Sequence, residues 1–249
     1  MANKRAHPND NHSYITPDLS RLYGKPPYEY RDSAMLLVQF QTNPKILRSL
    51  GPNPLMPNKD NNLFVSVGDF LCSGVGRYYE AHLFTHAMFK RRRVNYSIYL
   101  ILDSDVASGA GREIWGFPKK LGQLAMEIQN DVVNASVERG GRKLIEVAMQ
   151  LAEFVVPGEL SGTPEWVTRK LVPSVSLNAP PEIDQLTSSK LTNTAIREVH
   201  KGPATLSFGA SPADRLAEIA IKKIIGGFYY RTDFTLGDGA VIHNYLTDH

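Results

Sequence analysis

The sequence predicts a mainly β protein, an antiparallel barrel or sandwich with one or two short helices. Three observations predict it. Apolar stretches of strand length recur along the chain, separated by Gly, Pro and Asn turn signals. Two of them flank a Gly-Gly turn, the pattern of a hairpin. Strands and helices do not alternate, which argues against a parallel α/β sheet. No break in composition marks a boundary, so residues 13–249 read as one domain behind a polar, flexible N-terminus at 1–12.

Residues 13–30 carry Pro17, Gly24, Pro26 and Pro27 and read as an extended entry segment. Residues 34–40 form an apolar run broken only by Gln39, the first strand. A short helix is expected near 43–50. Residues 63–70 alternate imperfectly, 96–102 are apolar apart from Ser97, and 124–129 mix apolar and polar positions; each reads as a strand. Residues 132–138 and 143–154 flank Arg139-Gly140-Gly141-Arg142. The second arm has a periodicity that also suits a helix, and the hairpin turn decides for strand. Residues 157–168, with Pro157, Gly158, Gly162 and Pro164, read as a loop. Stretches 171–177, 204–208 and 228–236 read as further strands. The clearest helix is expected to start at Ser211, an N-cap followed by Pro212. Leu216, Ile219, Ala220 and Ile224 repeat at helical spacing, and Gly226 and Gly227 end the run.

Composition narrows the function. With 42% apolar and 21% charged residues the chain is an ordinary folded protein. A net charge of +3 is too small to argue for a nucleic-acid partner. The one basic run, Lys90-Arg91-Arg92-Arg93, lacks interleaved aromatics and reads as a solvated turn between strands. No apolar stretch nears the roughly 20 residues of a membrane helix. The first residues lack the apolar core of a secretory signal, so the expected location is the cytoplasm. Cys72, the single cysteine, forms no intrachain disulfide and reads as a small buried hydrophobe. His82 and His86 lack a third ligand, so no metal is expected. Gly109-Ala110-Gly111 is not followed by Gly-Lys-Ser/Thr and is no phosphate loop. No cofactor is expected.

The stretch that carries chemistry is Gly111-Arg112-Glu113-Ile114-Trp115-Gly116-Phe117-Pro118-Lys119-Lys120-Leu121-Gly122. Two lysines follow Trp115, Phe117 and Pro118. Apolar neighbours would desolvate an ammonium, and a second cation would oppose its charge; both favour the neutral amine. A neutral amine attacks a carbonyl. Taken alone, a Lys-Lys pair is more often plain surface charge.

The longer motif changes that weighing. Gly-Arg-Glu, then Pro-Lys-Lys-Leu-Gly, resembles the active-site segment of the acetoacetate decarboxylase family, the standard example of a lysine activated by desolvation or a neighbouring cation. The first lysine of the family's pair forms the Schiff base and corresponds to Lys119; the second corresponds to Lys120. Ser73-Gly74-Val75-Gly76-Arg77-Tyr78-Tyr79-Glu80 is similar to the family's Ser-Gly-x-Gly segment, which ends in an active-site glutamate, here Glu80. Pro27-Tyr28 resembles the Gly-Pro-Tyr entry, Gly202-Pro203-Ala204-Thr205-Leu206 the Gly-Pro-x-x-Leu strand, and residues 239–246 the final strand. The resemblance runs from about 15 to 246. It implies a closed, mostly antiparallel barrel with the lysine inside, a homo-oligomer, and Phe117 in the substrate site.

Two positions depart from the pattern. The family's active-site arginine falls on Ser33. Arg31, two residues earlier, would share that face of a strand and is the candidate substitute for binding substrate. The family's second glutamate falls on Val65, and Asp69, at the same parity, is the candidate replacement. The resemblance therefore implies a carboxy-lyase that forms an imine between Lys119 and a small β-keto acid, most simply acetoacetate. Glu80 is the candidate for proton transfer or for orienting substrate. Two other readings stand beside it: aldol condensation and dehydration of pyruvate-like keto acids from the same lysine, and a barrel that binds a small ligand without turnover.

Overall fold

A computed structural model of the protein describes residues 14–160 and 165–248; the segment 1–12 expected to be flexible lies outside them. The chain runs through β1 (Tyr28–Gln41), α1 (Pro44–Leu50), β2 (Met56–Pro57), β3 (Asn62–Cys72), β4 (Gly76–Phe89), β5 (Arg92–Leu102) and α2 (Asp105–Ala110). A π turn, Gly111–Trp115, leads to β6 (Lys119–Leu121), β7 (Gln123–Gln129), β8 (Val132–Arg139), β9 (Arg142–Gln150) and β10 (Glu153–Val155). The rest is β11 (Glu165–Val172), β12 (Ile183–Gly202), β13 (Ala204–Phe208) and β14 (Lys223–Asn244). The protein is thus mainly β with two short α-helices.

The larger sheet has ten strands, with the path β2-β4-β3-β1-β14-β12-β11-β5-β6 and β10 paired to β12. Because β4 also pairs with β5, the pairings from β4 through β14 and β11 return to β4 as a ring. The regular closed barrel expected from the resemblance is not what forms: the strands do not stand evenly round one axis. Bulges interrupt β1 and β12 where they meet β14. The β5–β11 seam is parallel and pairs only Asn95 with Trp166 and Tyr96 with Val167. Bulges bend strands and increase their twist, which makes such a ring uneven. The ring is otherwise antiparallel.

A second sheet, ordered β13-β9-β8-β7, covers the outside of the ring. Leu36, Val38, Val65, Val67 and Ile101 of the ring pack there against Val133, Val137, Ile145, Val147 and Met149. The alternate residues Met35, Leu37, Phe64 and Ser66 line an interior cavity. Strands buried on both faces lose the alternation of a half-exposed sheet, which explains the near-continuous apolar runs at 34–40 and 63–70.

Several expectations need correction. The helix from Ser211 is reduced to a 3₁₀ turn, Arg215–Glu218. Leu216 and Ile219 do enter the core. The chain then extends, and Lys223 and Ile224 pair with Gln41 and Phe40 of β1, so long-range strand pairing overrides local periodicity. The strand expected at 171–177 lies earlier, as β11, and begins inside the supposed loop, of which 161–164 lie outside the described residues. The second hairpin arm stops at Gln150, and β10 turns away to pair with β12. The short helix near 43–50 forms, with Asn43 Oδ1 accepting the Lys45 N–H at 2.9 Å. Of the basic run, Lys90 and Arg91 form the turn between β4 and β5, with φ of 44° and 71°, while Arg92 and Arg93 begin β5.

Candidate active site

The sequence around the lysines builds a short crossover that delivers Lys119 to the ring interior. Ser104 caps α2, its Oγ accepting the Ala107 N–H at 3.2 Å. The helix runs on into the π turn and stops at Gly116, whose φ of 84° is left-handed and suits glycine. Pro118 follows, and β6 docks parallel to β5 with Lys119 opposite Leu100. Lys119 is 8% exposed. Its Nζ lies 2.8 Å from Glu80 Oε2 and donates to the Ala107 carbonyl at 3.2 Å. The rings of Phe117 and Tyr78 have their centroids 5.8 and 5.9 Å from that nitrogen.

The Gly-Arg-Glu motif acts as scaffolding for this lysine. A Cβ on Gly111 would lie 2.6 Å from Lys119 Cε and 2.9 Å from its Nζ, so only glycine lets the side chain pass. Arg112 Nη1 donates to the Lys119 carbonyl at 3.0 Å. Glu113 accepts a hydrogen bond from the Tyr23 hydroxyl.

Lys120 is directed elsewhere, as alternation along a strand requires. Its Nζ lies 2.7 Å from Asp214 Oδ1 and 5.2 Å from the Tyr99 ring centre. Asp214 also accepts from the Tyr99 hydroxyl and meets Arg139 Nε at 3.4 Å. Burial raises the Asp214 carboxyl, but hydrogen bonds from Lys120 and Tyr99 outweigh it and leave it below the ordinary range. The charge of Lys120 is therefore met by Asp214.

Lys119 and Glu80 stand at one end of a cavity of about 690 Å³. Tyr30, Phe70, Leu100 and Phe117 line this end. The Tyr30 and Tyr78 hydroxyls are 3.3 Å apart, and burial pushes both phenols well above their ordinary value. Burial also pushes the Cys72 thiol up to about 11, so it is no thiolate at neutral pH. Further along β4, burial pushes His82 down to about 3, and the Lys119 charge adds to this. Burial, with Arg93 beside it, pushes His86 down to about 4. Among the described residues no group of three His, Cys, Asp or Glu could hold a metal.

Arg31 does not join this cavity. It is exposed and pairs with Glu29 at 2.9 Å. The reason is a bulge between Tyr30 and Ser33, with Asp32 at φ 47°, which breaks the two-residue parity. Ser33 is fully buried and shares the parity of Met35 and Leu37. Val65 faces the outer core, and Asp69 is bound outside by Arg77, with Nε to Oδ1 at 2.8 Å. The cavity face of β3 carries Asn62, Phe64, Ser66 and Phe70 instead. Sequence reasoning missed Asp214, hidden in the supposed helix. It also missed that Tyr78, Glu80, His82, Phe84 and His86, at every second position of β4, form one cavity face. That period-two pattern was the available signal.

A buried lysine 2.8 Å from a carboxylate, inside a ring of strands, is an arrangement that suits addition of an amine to a carbonyl. The family described as "Acetoacetate decarboxylase (ADC)" matches residues 13–246, and the chain belongs to it. "Acetoacetate decarboxylase 2" of Mesorhizobium japonicum is 26% identical over 238 residues, covering 94% of this chain and 90% of that protein. An acetoacetate decarboxylase of Streptomyces nogalater is 25% identical, covering 88% of this chain and 91% of its own. Among solved structures, acetoacetate decarboxylase from Legionella pneumophila superposes with a TM-score of 0.90 at 23% identity, covering 99% of this chain and all of that one. The enduracididine biosynthesis enzyme MppR superposes with a TM-score of 0.83 at 16% identity, covering 97% and 99% of the two chains. At these identities the two structures show a shared fold. No described helix is long and apolar enough to cross a membrane.

Proposed function

We propose that the protein is a carboxy-lyase that forms a Schiff base between Lys119 and a β-keto acid, acetoacetate being the simplest, and releases carbon dioxide. The observation that carries this reading is Lys119 Nζ, buried and 2.8 Å from Glu80 Oε2, in an apolar end of the cavity. Glu80 takes a proton from Nζ, and the free amine adds to the ketone. Loss of water gives a protonated imine. The electron pair of the breaking bond to the carboxylate flows into that imine, leaving an enamine and carbon dioxide. Protonation of the enamine at carbon and hydrolysis return the ketone and Lys119. Tyr30, Phe70 and Phe117 supply an apolar setting that favours expelling carboxylate charge. The expected state is a homo-oligomer, measured by sedimentation, in the cytoplasm, measured by cell fractionation.

Borohydride trapping with acetoacetate tests it. The expected result is a reduced adduct on Lys119, absent in Lys119→Ala, with carbon dioxide evolved in the untreated reaction. An adduct with pyruvate but none with acetoacetate, and an enone formed on adding an aldehyde, would replace decarboxylation by aldol condensation and dehydration. No adduct with any keto acid would leave a binding protein.

A further inference from the structure

The cavity continues past the lysine along β4, and from His82, two residues from Glu80, its wall is built of rings. His82 and Trp166 have centroids 4.7 Å apart, His82 and Phe84 5.1 Å, and Phe84 and Trp166 4.9 Å. Phe64 stacks on Phe84 at 5.0 Å with 12° between the planes, and His86 lies 4.5 Å beyond Phe64. These five side chains all line the cavity. On the shared face of β4, Phe84 is four residues from Glu80, about 13 Å at the rise of a strand. Both histidines here are held neutral at pH 7 by burial. Acetoacetate ends in a methyl group next to its ketone. It would fill the Lys119 end and leave the ring wall unused, whereas cavities of this volume hold drug-sized molecules.

We propose that the substrate is a β-keto acid whose ketone bears an aromatic or extended apolar tail, seated along His82, Phe84, Trp166 and Phe64. The inference rests on the keto-acid reading of Lys119 and Glu80 and specifies its substrate class. The tail runs away from the carboxylate, and its rings pack offset or edge-on against the wall.

The test compares acetoacetate, butyrylacetate and phenylpropionylacetate by kcat/KM. In parallel, the equilibrium binding of butyrate and phenylvalerate, which lack the ketone, is measured. We expect kcat/KM to rise roughly tenfold or more from the methyl to the phenyl tail, and phenylvalerate to bind tighter than butyrate by a similar factor. Trp166→Ala should collapse both ratios. So should Ser66→Phe, in which a ring grows into the cavity from the position paired with His82 rather than out of a packed core. Equal kcat/KM and equal binding along the series would overturn the inference even if Lys119 traps acetoacetate. Tail-dependent binding lost in both variants, with no adduct on Lys119 from any keto acid, would uphold the tail site and overturn the imine reading alone.

Discussion

Lys119 Nζ meets Glu80 Oε2 at 2.8 Å although their strands do not pair with each other. Strand β5 lies between: Leu100 stands opposite Lys119 on one side and opposite His82 on the other. The contact therefore reports the register of three strands at once. Replacing Glu80 by glutamine keeps the shape and removes the base. We expect kcat to fall by about 10²–10⁴, with the slow step being borohydride-trappable imine formation. A Glu80→Gln variant with unchanged kcat would remove this residue from proton transfer.

Gly111→Ala should leave the fold in place and displace the amine. The new methyl would stand 2.6 Å from Lys119 Cε, so the side chain must move aside. Misplacement on the scale of an ångström costs about a hundredfold in rate. The measurement is kcat alongside far-UV circular dichroism; normal activity would mean that the lysine reaches its position by another path.

Asp214 joins Lys120, Tyr99 and Arg139, and its side chain is 2% exposed. Asp214→Ala leaves Tyr99 and the two cations without this acceptor. A loss of about 2 kcal/mol is expected from the charge-assisted hydrogen bonds. Urea denaturation measures it, and an unchanged midpoint would show that water replaces the carboxylate.

Acid should weaken the fold in a window set by the buried histidines. Burial lowers His82 from 6.5 to about 3 and His86 from 6.5 to about 4. Below pH 6.5 the unfolded chain takes up protons at both positions and the folded chain does not, so stability falls as pH falls toward about 4. Above pH 6.5 these two groups contribute no slope. His82→Phe removes one of the two uptakes, and the acid limb should become shallower above the carboxylate range. Melting temperatures measured across that range check it; parallel curves for the two proteins would count against a buried neutral His82.

Arg31→Ala should leave kcat/KM within about twofold, because an exposed ion pair far from the reacting groups contributes little. A large rise in KM would place the guanidinium near substrate after all.

How much of this was legible in the sequence varies with the range of the interaction. The hairpin at Gly140 and Gly141 and the short helix near 43–50 are set by nearby residues, and both form where expected. Lys119, Glu80 and Phe117 were found through motifs, and all three meet in space. The failures share one cause. Residues 211–226 have a helical period, but pairing of Lys223 and Ile224 with β1 decides their conformation. Arg31 has the right spacing from Ser33 for an unbroken strand, and a bulge cancels it. Asp69 has the parity of Val65, which faces the outer sheet rather than the cavity. In each case a distant partner or a backbone irregularity, invisible in the local pattern, sets the outcome.

The close approach of Gly111 to Lys119 has a consequence for descent. Ala107, Gly111, Arg112 and Phe117, which surround or brace the amine, lie within one short stretch of chain, with Glu80 as a contact from outside it. The ring wall is assembled from the neighbouring strands β3 and β4 and from β11, which is distant from them in sequence. Drift along those strands can reshape the chamber residue by residue without touching the segment that holds the nucleophile. Such an arrangement lets selectivity change piecemeal while reactivity is kept as a block.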